Sequence, residues 1–296
     1  MPGHLIHIGY AKTGSTFLRR WFSLHPQLAY VAGGIAGFRD VAQIAREGSL
    51  PGADVRYRVT SSESLSYPHP YVGQPLERYD YTRWSDSRGI ARVCTTLAEI
   101  FPAASVLLVT RGFRSMILSA YSQYARTGGH LDFPPFCEWL QERVSGGDPA
   151  FDYDFLTGLY RRAFGEGKLI VVPYELLQEE PAAFTAAIES RLGLESGPLP
   201  PKALNVSLSP VELHWYPRIA RLIQALPAGW LLRRLYLSGT VANRFRLPVA
   251  LLERMVGGAQ RPPWTVPDRL VEVFRGKAST LRDGDLYRPY GDEYLF

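Results

Sequence analysis

Cysteine is scarce in this chain, which has two cysteines, Cys94 and Cys137, in 296 residues. Two cysteines cannot build the disulfide framework that holds many small secreted domains together. Both lie among residues with helical periodicity, so we interpret them as small core side chains rather than as metal ligands. The sequence therefore does not belong to the class of disulfide scaffolds.

Long apolar runs are also missing, because none approaches the roughly 20 residues that a membrane-spanning helix needs. The first apolar run begins by Leu5, so we expect no signal peptide and no membrane anchor before the first strand. A cytoplasmic protein of bacterial type is the setting that these absences favour.

Runs of basic residues are missing as well, which argues against nucleic acid as a partner. The chain is nevertheless basic, with a formal net charge of +5 and a pI of about 9.2. This balance favours an anionic ligand or an acidic surface, although a dispersed excess of basic residues would give the same totals.

The chain has enough apolar residues, 46%, for a sizeable core. Short apolar runs predict strands at HLIHIGY (4–10), SVLLVT (105–110) and KLIVVPYE (168–175). The alternation of Val55, Tyr57 and Val59 predicts a further strand within DVRYRVTSSESL (54–65). Helical periodicity predicts helices with Ile90, Val93, Cys94, Leu97 and Ile100 on one face, from Phe113 to Tyr124, within 151–167 and over 180–192. Alternation of strands and helices predicts an α/β fold with three αβα layers around a central parallel sheet.

We predict a single domain over residues 1–296, with an α/β core at 1–205 and a mostly helical extension at 206–296. Residues 66–88 are rich in Pro, Tyr and Gly and lack periodicity, so we predict a long surface loop there. The helical patterns at 211–258 mix leucine with arginine. Packing on the core is the favoured interpretation of this segment, and peripheral contact with the inner membrane surface is the alternative.

The stretch GYAKTGST nearly matches a nucleotide-binding P-loop, G-x-x-x-x-G-K-[ST]. Gly9 and Gly14 keep the glycine spacing, but Ser15 stands where the lysine belongs, and Lys12 lies three residues earlier. A glycine turn between a strand and a helix presents backbone N–H groups and the positive end of the helix dipole. No predicted strand ends in the aspartate that a magnesium-dependent NTPase would need. The loop therefore favours a phosphate-type anion bound without a metal, and an ordinary glycine turn is the alternative.

A second anion site is predicted where the strand at 105–110 ends. Arg111 follows this strand directly, and Ser119 comes eight residues later on a predicted helix. An arginine at the carboxyl end of a strand lies where ligands bind in open α/β sheets, and its planar fork suits a phosphate. A local pairing role for Arg111, with Ser119 as a spacer, remains open.

Together the two patterns resemble those of the sulfotransferase family that uses 3′-phosphoadenosine 5′-phosphosulfate (PAPS). That family has a KTG[ST][ST]-like run after its first strand, and this chain has AKTGSTFLRRW at 11–21. Its second motif is an arginine, then a serine eight residues later, then a nearby tyrosine, which match Arg111, Ser119 and Tyr121. The resemblance covers residues 4–195 and weakens over the loop at 66–88 and over the C-terminal third.

The resemblance implies a P-loop-NTPase-like sulfotransferase fold, PAPS as co-substrate, 3′-phosphoadenosine 5′-phosphate (PAP) as product, and no metal. The residues that it implies at the 5′-phosphate end are Lys12, Thr13, Gly14, Ser15 and Thr16. We count the hydroxyl groups of Thr13, Ser15 and Thr16 as further donors. Lys12 would stabilise charge on the bridging oxygen as the S–O bond breaks. Arg111 and Ser119 would hold the 3′-phosphate, and Ser119 would also draw Lys12 away until the acceptor arrives. Tyr174 matches a family tyrosine near the adenine, and a core role for it is equally open.

Family members place a catalytic histidine or glutamate where their second strand ends. In VTSSESLS the matching residue is Glu63, which we predict to be the general base for the acceptor hydroxyl. The family often has a Lys-Thr or Lys-Ser pair beside this residue, and here the pair is Ser61 and Ser62. The alternative for Glu63 is a capping or ion-pairing role.

The acceptor is predicted from the loop at 66–88, whose aromatic and basic residues include Tyr67, Tyr71, Arg78, Tyr79, Tyr81, Arg83 and Trp84. Aromatic faces suit sugar rings and arginines suit an anionic acceptor, which favours a hydroxyl on a glycan or glycolipid. A small-molecule hydroxyl remains open, as does simple packing of the loop onto the body of the protein. The alternatives for the whole chain are a P-loop-like kinase or NTPase and a catalytically inactive PAP-binding module.

Overall fold

A computed structural model describes residues 2–10, 12–30, 54–62, 65–66, 87–149, 151–201, 208–226, 229–241, 246–256 and 264–296 of the chain. The strands among these residues are β1 (Gly3–His7), β2 (Leu28–Tyr30), β3 (Tyr57–Ser61), β4 (Ser105–Thr110) and β5 (Leu169–Pro173). They form a single sheet in the order β2-β3-β1-β4-β5, and every neighbouring pair is parallel. The predicted central parallel sheet is therefore confirmed.

The order of the strands reverses around β1, which has β3 on one side and β4 on the other. In open parallel sheets a crevice forms at such a reversal, outside the carboxyl ends of the strands. The register pairs His7, the last residue of β1, with Leu107, so β4 runs three residues further, to Thr110. The loop after β1 consequently begins alongside the last three residues of β4.

The central strand β4 is apolar along most of its length and buried at all six positions, as expected for a strand inside a parallel sheet that is covered on both faces. Alternate residues of β4 belong to different core clusters: Val106 and Leu108 pack on one face, and Leu107 and Val109 on the other. Helices flank the sheet on both faces, so the αβα layering predicted from the sequence is confirmed.

The helices of the described residues are α1 (Ser15–Leu24), α2 (Ser87–Ile100), α3 (Phe113–Arg126), α4 (Phe133–Ser145), α5 (Tyr153–Phe164), α6 (Tyr174–Glu179), α7 (Pro181–Leu192), α8 (Pro210–Ala225), α9 (Gly229–Val241), α10 (Arg246–Val256), α11 (Asp268–Glu272) and α12 (Gly291–Tyr294). Short 3₁₀ turns lie at Glu166–Lys168, Ser279–Leu281 and Asp285–Tyr290. Residues 206–296 were predicted to be mostly helical, and their described parts are. In the described part of the chain, no helix has both the length and the apolarity needed to cross a membrane.

Local sequence accounts for several helix ends. The side chain of Asp152 accepts a hydrogen bond from the N–H of Phe155 and so caps α5. Ser209 and Glu212 form a reciprocal capping box at the start of α8. Each cap satisfies backbone donors that the helix itself cannot pair, which fixes where the helix begins.

Some sequence predictions need correction. Strand β2 was not predicted, because three residues at the sheet edge are too few to show a period. Ile100 was predicted on the buried face of α2, but it is 48% exposed, since the last turn of the helix extends past the core. Most of the predicted surface loop at 66–88 lies outside the described residues. Ser66 is fully buried, and residues 87–88 already belong to α2.

Cys94 and Cys137 are both buried in the core, as predicted. Burial raises the pKa of the Cys94 thiol to about 11 and that of the Cys137 thiol to about 12. Both thiols therefore stay protonated at neutral pH and act as small apolar side chains.

Candidate functional site

The loop between β1 and α1 makes two unusual backbone turns. Gly14, immediately before α1, has φ 85° and ψ 15°, in the left-handed region. A Cβ at this position would lie 2.4 Å from Cδ2 of Leu177, so glycine is needed for space as well as for conformation. Lys12 is also left-handed, with φ 68°. This conformation costs an L-residue about 1 kcal/mol, so the rest of the loop must hold Lys12 in place.

The first turn of α1 has the features of an anion cradle. It reads Ser15-Thr16-Phe17-Leu18, contains no acidic residue, and receives no hydrogen bond from a capping side chain. The first N–H groups of any helix cannot be bonded within it, and the helix dipole adds positive charge there. An anion placed at this end of α1 would meet donors and no competing carboxylate of that turn.

Thr13 acts within the loop. Its side chain is fully buried, and its hydroxyl donates to the carbonyl oxygen of Tyr10 at 2.6 Å. The sequence predicts this hydroxyl as a donor to the ligand, but its proton is committed to the loop, so this prediction is wrong for the Thr13 side chain. Ser15 is buried and Thr16 is exposed.

Arg111 joins this loop to the end of β4. Its Nη1 donates to the carbonyl oxygen of Lys12 at 2.8 Å, and its Nε donates to Oγ of Ser115 at 2.9 Å. Among the described residues these bonds use two of the five N–H donors of the guanidinium. The arginine predicted for a second, separate anion site therefore lies directly against the first loop.

Tyr174 lies beside both parts of the site. The guanidinium carbon of Arg111 lies 4.7 Å from the centroid of the Tyr174 ring, a cation–π arrangement. The same ring lies 3.3 Å from where a Cβ on Gly14 would be. Tyr174 was predicted near the nucleotide base, and the structure places it between the loop and the arginine.

Two buried side chains form hydrogen bonds to the backbone at Arg111 and Gly112 and hold it in place. The hydroxyl of Tyr153 donates to the carbonyl of Arg111 at 2.6 Å and accepts from its N–H at 3.2 Å. A carboxylate oxygen of Glu175 accepts from the N–H of Gly112 at 2.9 Å. Burial raises the pKa of Tyr153 far above neutrality, so this hydroxyl keeps its proton and the bracing does not change near pH 7.

The C-terminal segment completes this bracing. The hydroxyl of Tyr294 bonds to the other oxygen of Glu175 at 3.0 Å and to Oγ1 of Thr110 at 2.9 Å. Tyr287 also bonds to Oγ1 of Thr110, at 2.7 Å. All four groups are buried, and burial raises the pKa of both tyrosines. A closed polar network therefore fixes the direction in which Arg111 leaves β4.

Ser119 lies on α3, one helical turn beyond Ser115, and both follow Arg111 at four-residue intervals. The hydroxyl of Ser115 accepts from Arg111 and donates to the carbonyl of Gly112. The described hydrogen bonds of Arg111 therefore go to Ser115 and the Lys12 carbonyl rather than to Ser119. Ser119 itself is buried on the same side of the helix.

Two neighbours of Ser119 have different roles. Tyr121, which completes the family motif, belongs to the core, and its hydroxyl faces backbone carbonyls of residues 131 and 213. Oγ of Ser122 accepts from the N–H of Leu208 at 3.3 Å. Leu208 begins the described stretch 208–226, so this stretch contacts α3 one turn beyond Ser119.

Glu63, the predicted base, lies outside the described residues. The chain before it is anchored to β1, since the N–H of Ser62 donates to the carbonyl of His7 at 3.1 Å. Oγ of Ser61 lies 2.8 Å from Nδ1 of His7. Burial, helped by the charge of Arg19, lowers the pKa of His7 to about 3. His7 is therefore a neutral side chain at neutral pH that serves the structure of the sheet at the carboxyl end of β1.

Sequence reasoning missed Ser115, Glu175 and Tyr294. Ser115 has a local signal, because it lies midway between Arg111 and Ser119 at helical spacing. Glu175 and Tyr294 have none, since their partners lie 63 and 184 residues away along the chain. Among the described residues, no group of three or more His, Cys, Asp or Glu side chains is arranged to hold a metal ion.

No protein-family model matches the chain, and no curated protein matches it. Solved structures similar to it include a sulfotransferase from Alicyclobacillus acidocaldarius, with TM-score 0.45 and 18% identity, covering 82% of this chain and 96% of that one. The mouse sulfotransferase SULT7A1, solved with PAP, has TM-score 0.41 and 13% identity, covering 99% and 88%. A sulfotransferase domain from the curacin biosynthetic pathway has TM-score 0.45 and 9% identity, covering 95% and 98%. Each likeness is one of fold alone.

Proposed function

We propose that this chain is a PAPS-dependent sulfotransferase (EC 2.8.2.-), which moves a sulfuryl group to an acceptor hydroxyl and releases PAP and a sulfate ester. One observation carries the proposal most: the hydrogen bond from Arg111 to the Lys12 carbonyl, at 2.8 Å. It brings a guanidinium fork and the uncapped start of α1 together. A ligand with phosphates at two ends matches two such adjacent anion sites better than a single phosphate does.

The residues present fit that nucleotide. The start of α1, with the backbone of Thr13, Gly14, Ser15 and Thr16, would hold the 5′-phosphate end. The remaining donors of Arg111, with Ser119, would hold the 3′-phosphate. Tyr174 offers an aromatic face next to both. Gly14 is required here, because any side chain would meet Leu177 before a ligand could approach.

PAPS supplies the sulfuryl group. In the transfer the acceptor oxygen forms a bond to sulfur, the bond from sulfur to the 5′-phosphate oxygen breaks, and the acceptor proton leaves. Lys12 would stabilise the negative charge that grows on the departing phosphate oxygen. Glu63 would take the proton. Ser119 would hold Lys12 away from this oxygen before the acceptor binds.

The acceptor that we propose is a hydroxyl on a glycan or glycolipid. Its support is the composition of the segment 66–88, which includes five aromatic residues and two arginines between positions 67 and 84: Tyr67, Tyr71, Arg78, Tyr79, Tyr81, Arg83 and Trp84. A screen of glycan, glycolipid and small-molecule hydroxyl acceptors with radiolabelled PAPS tests this class. Transfer to phenols or steroids alone would refute it.

Thermal unfolding with nucleotides tests the donor. At a hundredfold excess over its Kd, PAP should stabilise the fold by about 2.7 kcal/mol, which raises Tm by about 5 °C. ATP with magnesium should give a much smaller shift, because ATP lacks a 3′-phosphate. The measurement is differential scanning fluorimetry with PAP, ATP-magnesium and buffer. Stabilisation by ATP-magnesium and not by PAP would favour a kinase or NTPase instead, and PAP binding without transfer to any acceptor would favour an inactive binding module.

Replacing Glu63 with glutamine tests the base. The amide cannot accept the acceptor proton, so turnover should fall by about 10² to 10⁴. PAP affinity should stay unchanged, because the base contacts the acceptor and not the nucleotide. Turnover comes from the radiolabel assay and affinity from calorimetry, with Glu99→Gln as the control at an exposed glutamate of α2. Full activity of Glu63→Gln would place the base elsewhere.

A further inference from the structure

The exposed apolar side chains are concentrated on three helices. Of the nine large apolar residues that are exposed in the described part of the chain, seven lie between residues 222 and 255. They are Leu222, Leu226, Leu232, Leu235, Leu247, Leu251 and Met255. Met255 is 84% exposed and Leu247 is 78% exposed. The other two exposed residues, Ile100 and Leu199, stand apart from this group along the chain.

Within α9 and α10 these residues recur every three or four positions, so they form a stripe along one side of each helix. Leu222 lies in the last turn of α8, and Leu226 directly follows that helix. Other side chains of the same helices pack inward: Tyr216 of α8, Tyr236 and Leu237 of α9 and Val249 of α10 are buried. The hydroxyl of Tyr236 donates to the carbonyl of Tyr216 at 2.9 Å, which ties α9 to α8. Because α8 also packs against α10 and against α3, the three helices form a layer attached to the core. We call the seven exposed apolar side chains, together with the exposed Arg234 and Arg254, the leucine–arginine surface.

The same segment contains the excess charge of the protein. Residues 211–258 have seven arginines, no lysine and two glutamates, a net charge of +5. The whole chain also has a net charge of +5, so the rest of the molecule is neutral in sum. Arg221, Arg234 and Arg254 are exposed. Positive charge and exposed apolar area therefore coincide in this segment.

These two properties together identify the partner. A second copy of the same surface would place arginines against arginines, which opposes association. An uncharged apolar partner would leave the arginines without partners. An anionic bilayer satisfies both properties, because leucine side chains enter the boundary between headgroups and acyl chains while arginines reach the lipid phosphates. We propose that the leucine–arginine surface docks this protein on an anionic membrane, with α8, α9 and α10 lying on the bilayer and not crossing it.

Co-sedimentation with vesicles tests the proposal. The protein should bind vesicles of phosphatidylcholine mixed with phosphatidylglycerol at least about tenfold more strongly than pure phosphatidylcholine vesicles, and high salt should weaken this binding. The variant Leu247→Gln/Leu251→Gln/Met255→Gln should lose at least about tenfold in partitioning, because three apolar side chains no longer enter the lipid. The control Ile100→Gln/Leu199→Gln, which changes the two exposed apolar residues elsewhere, should bind as the parent does.

A charge variant separates the two contributions. Arg234→Gln/Arg254→Gln should weaken binding to the anionic vesicles about tenfold and leave the weak binding to neutral vesicles unchanged. All these positions are exposed, and circular dichroism melting should show that each variant folds. The proposal fails if the parent does not bind anionic vesicles, or if the triple glutamine variant binds them as well as the parent. It also fails if light scattering shows a dimer that the triple variant abolishes, since the surface would then bind a second copy. None of these outcomes bears on nucleotide binding.

Discussion

Replacing Arg111 with alanine is expected to weaken PAP binding by about a hundredfold or more. Hydrogen bonds between a charged group and its partner each contribute about 1.5–3 kcal/mol, and a phosphate held by the guanidinium fork loses two of them. About 2.7 kcal/mol corresponds to a hundredfold change in Kd. Isothermal titration calorimetry with PAP gives this value directly.

A second nucleotide shows whether the lost affinity comes from contacts with the 3′-phosphate. Adenosine 5′-monophosphate lacks that group, so Arg111→Ala should lower the affinity for PAP far more than the affinity for the monophosphate. Arg111→Lys keeps the charge without the planar fork and should lie between the parent and the alanine variant. Arg114→Ala is the matched control, because Arg114 lies on the next turn and pairs with Asp268 at 2.7 Å on the surface. Equal losses for both nucleotides would mean that Arg111 only supports the loop.

Replacing Lys12 with methionine is expected to lower turnover by about 10² to 10³, the size of effect seen when one donor to a developing anion is removed. PAP affinity should change by less than about tenfold, because PAP has no sulfuryl group and several donors to its 5′-phosphate remain. The left-handed backbone at position 12 costs a methionine about as much as it costs a lysine. The substitution also keeps the main-chain carbonyl to which Arg111 donates. The substitution therefore removes the ammonium group and leaves the loop in place.

Single-turnover transfer of radiolabel measures the first quantity, and calorimetry with PAP measures the second. Arg20→Met on the exposed side of α1 removes a positive charge from the helix that follows the loop and should leave both quantities unchanged. If Lys12→Met lost affinity and turnover in equal proportion, the lysine would serve binding and not the transition state.

The parts of this fold that sequence predicts are those with a local pattern. Strand β4 is buried at all six positions and reads as an apolar run, and helix α3 follows from Phe113 at the predicted residue. Strand β2 has three residues and no pattern of its own. It forms because β3 offers it an open edge.

The candidate site likewise has parts that the sequence predicts and parts that it does not. Gly14, Lys12 and Arg111 stand at the ends of predictable strands, so their shared edge could be anticipated. The left-handed backbone of Lys12 could not be predicted, because a lysine in a sequence gives no signal for that conformation. Nor could the contact between Arg111 and the Lys12 carbonyl, since it depends on how far β4 extends past β1 in the sheet register.

The bracing of Thr110 by Tyr294 has a consequence for how the protein is made. Thr110 is synthesised 184 residues ahead of Tyr294, after which β5 and every remaining helix are still to come. A nascent chain can thus assemble its sheet while the arginine after β4 still lacks part of its support. The support around Arg111 is complete only once the segment around Tyr294 has been made and has folded back onto the sheet.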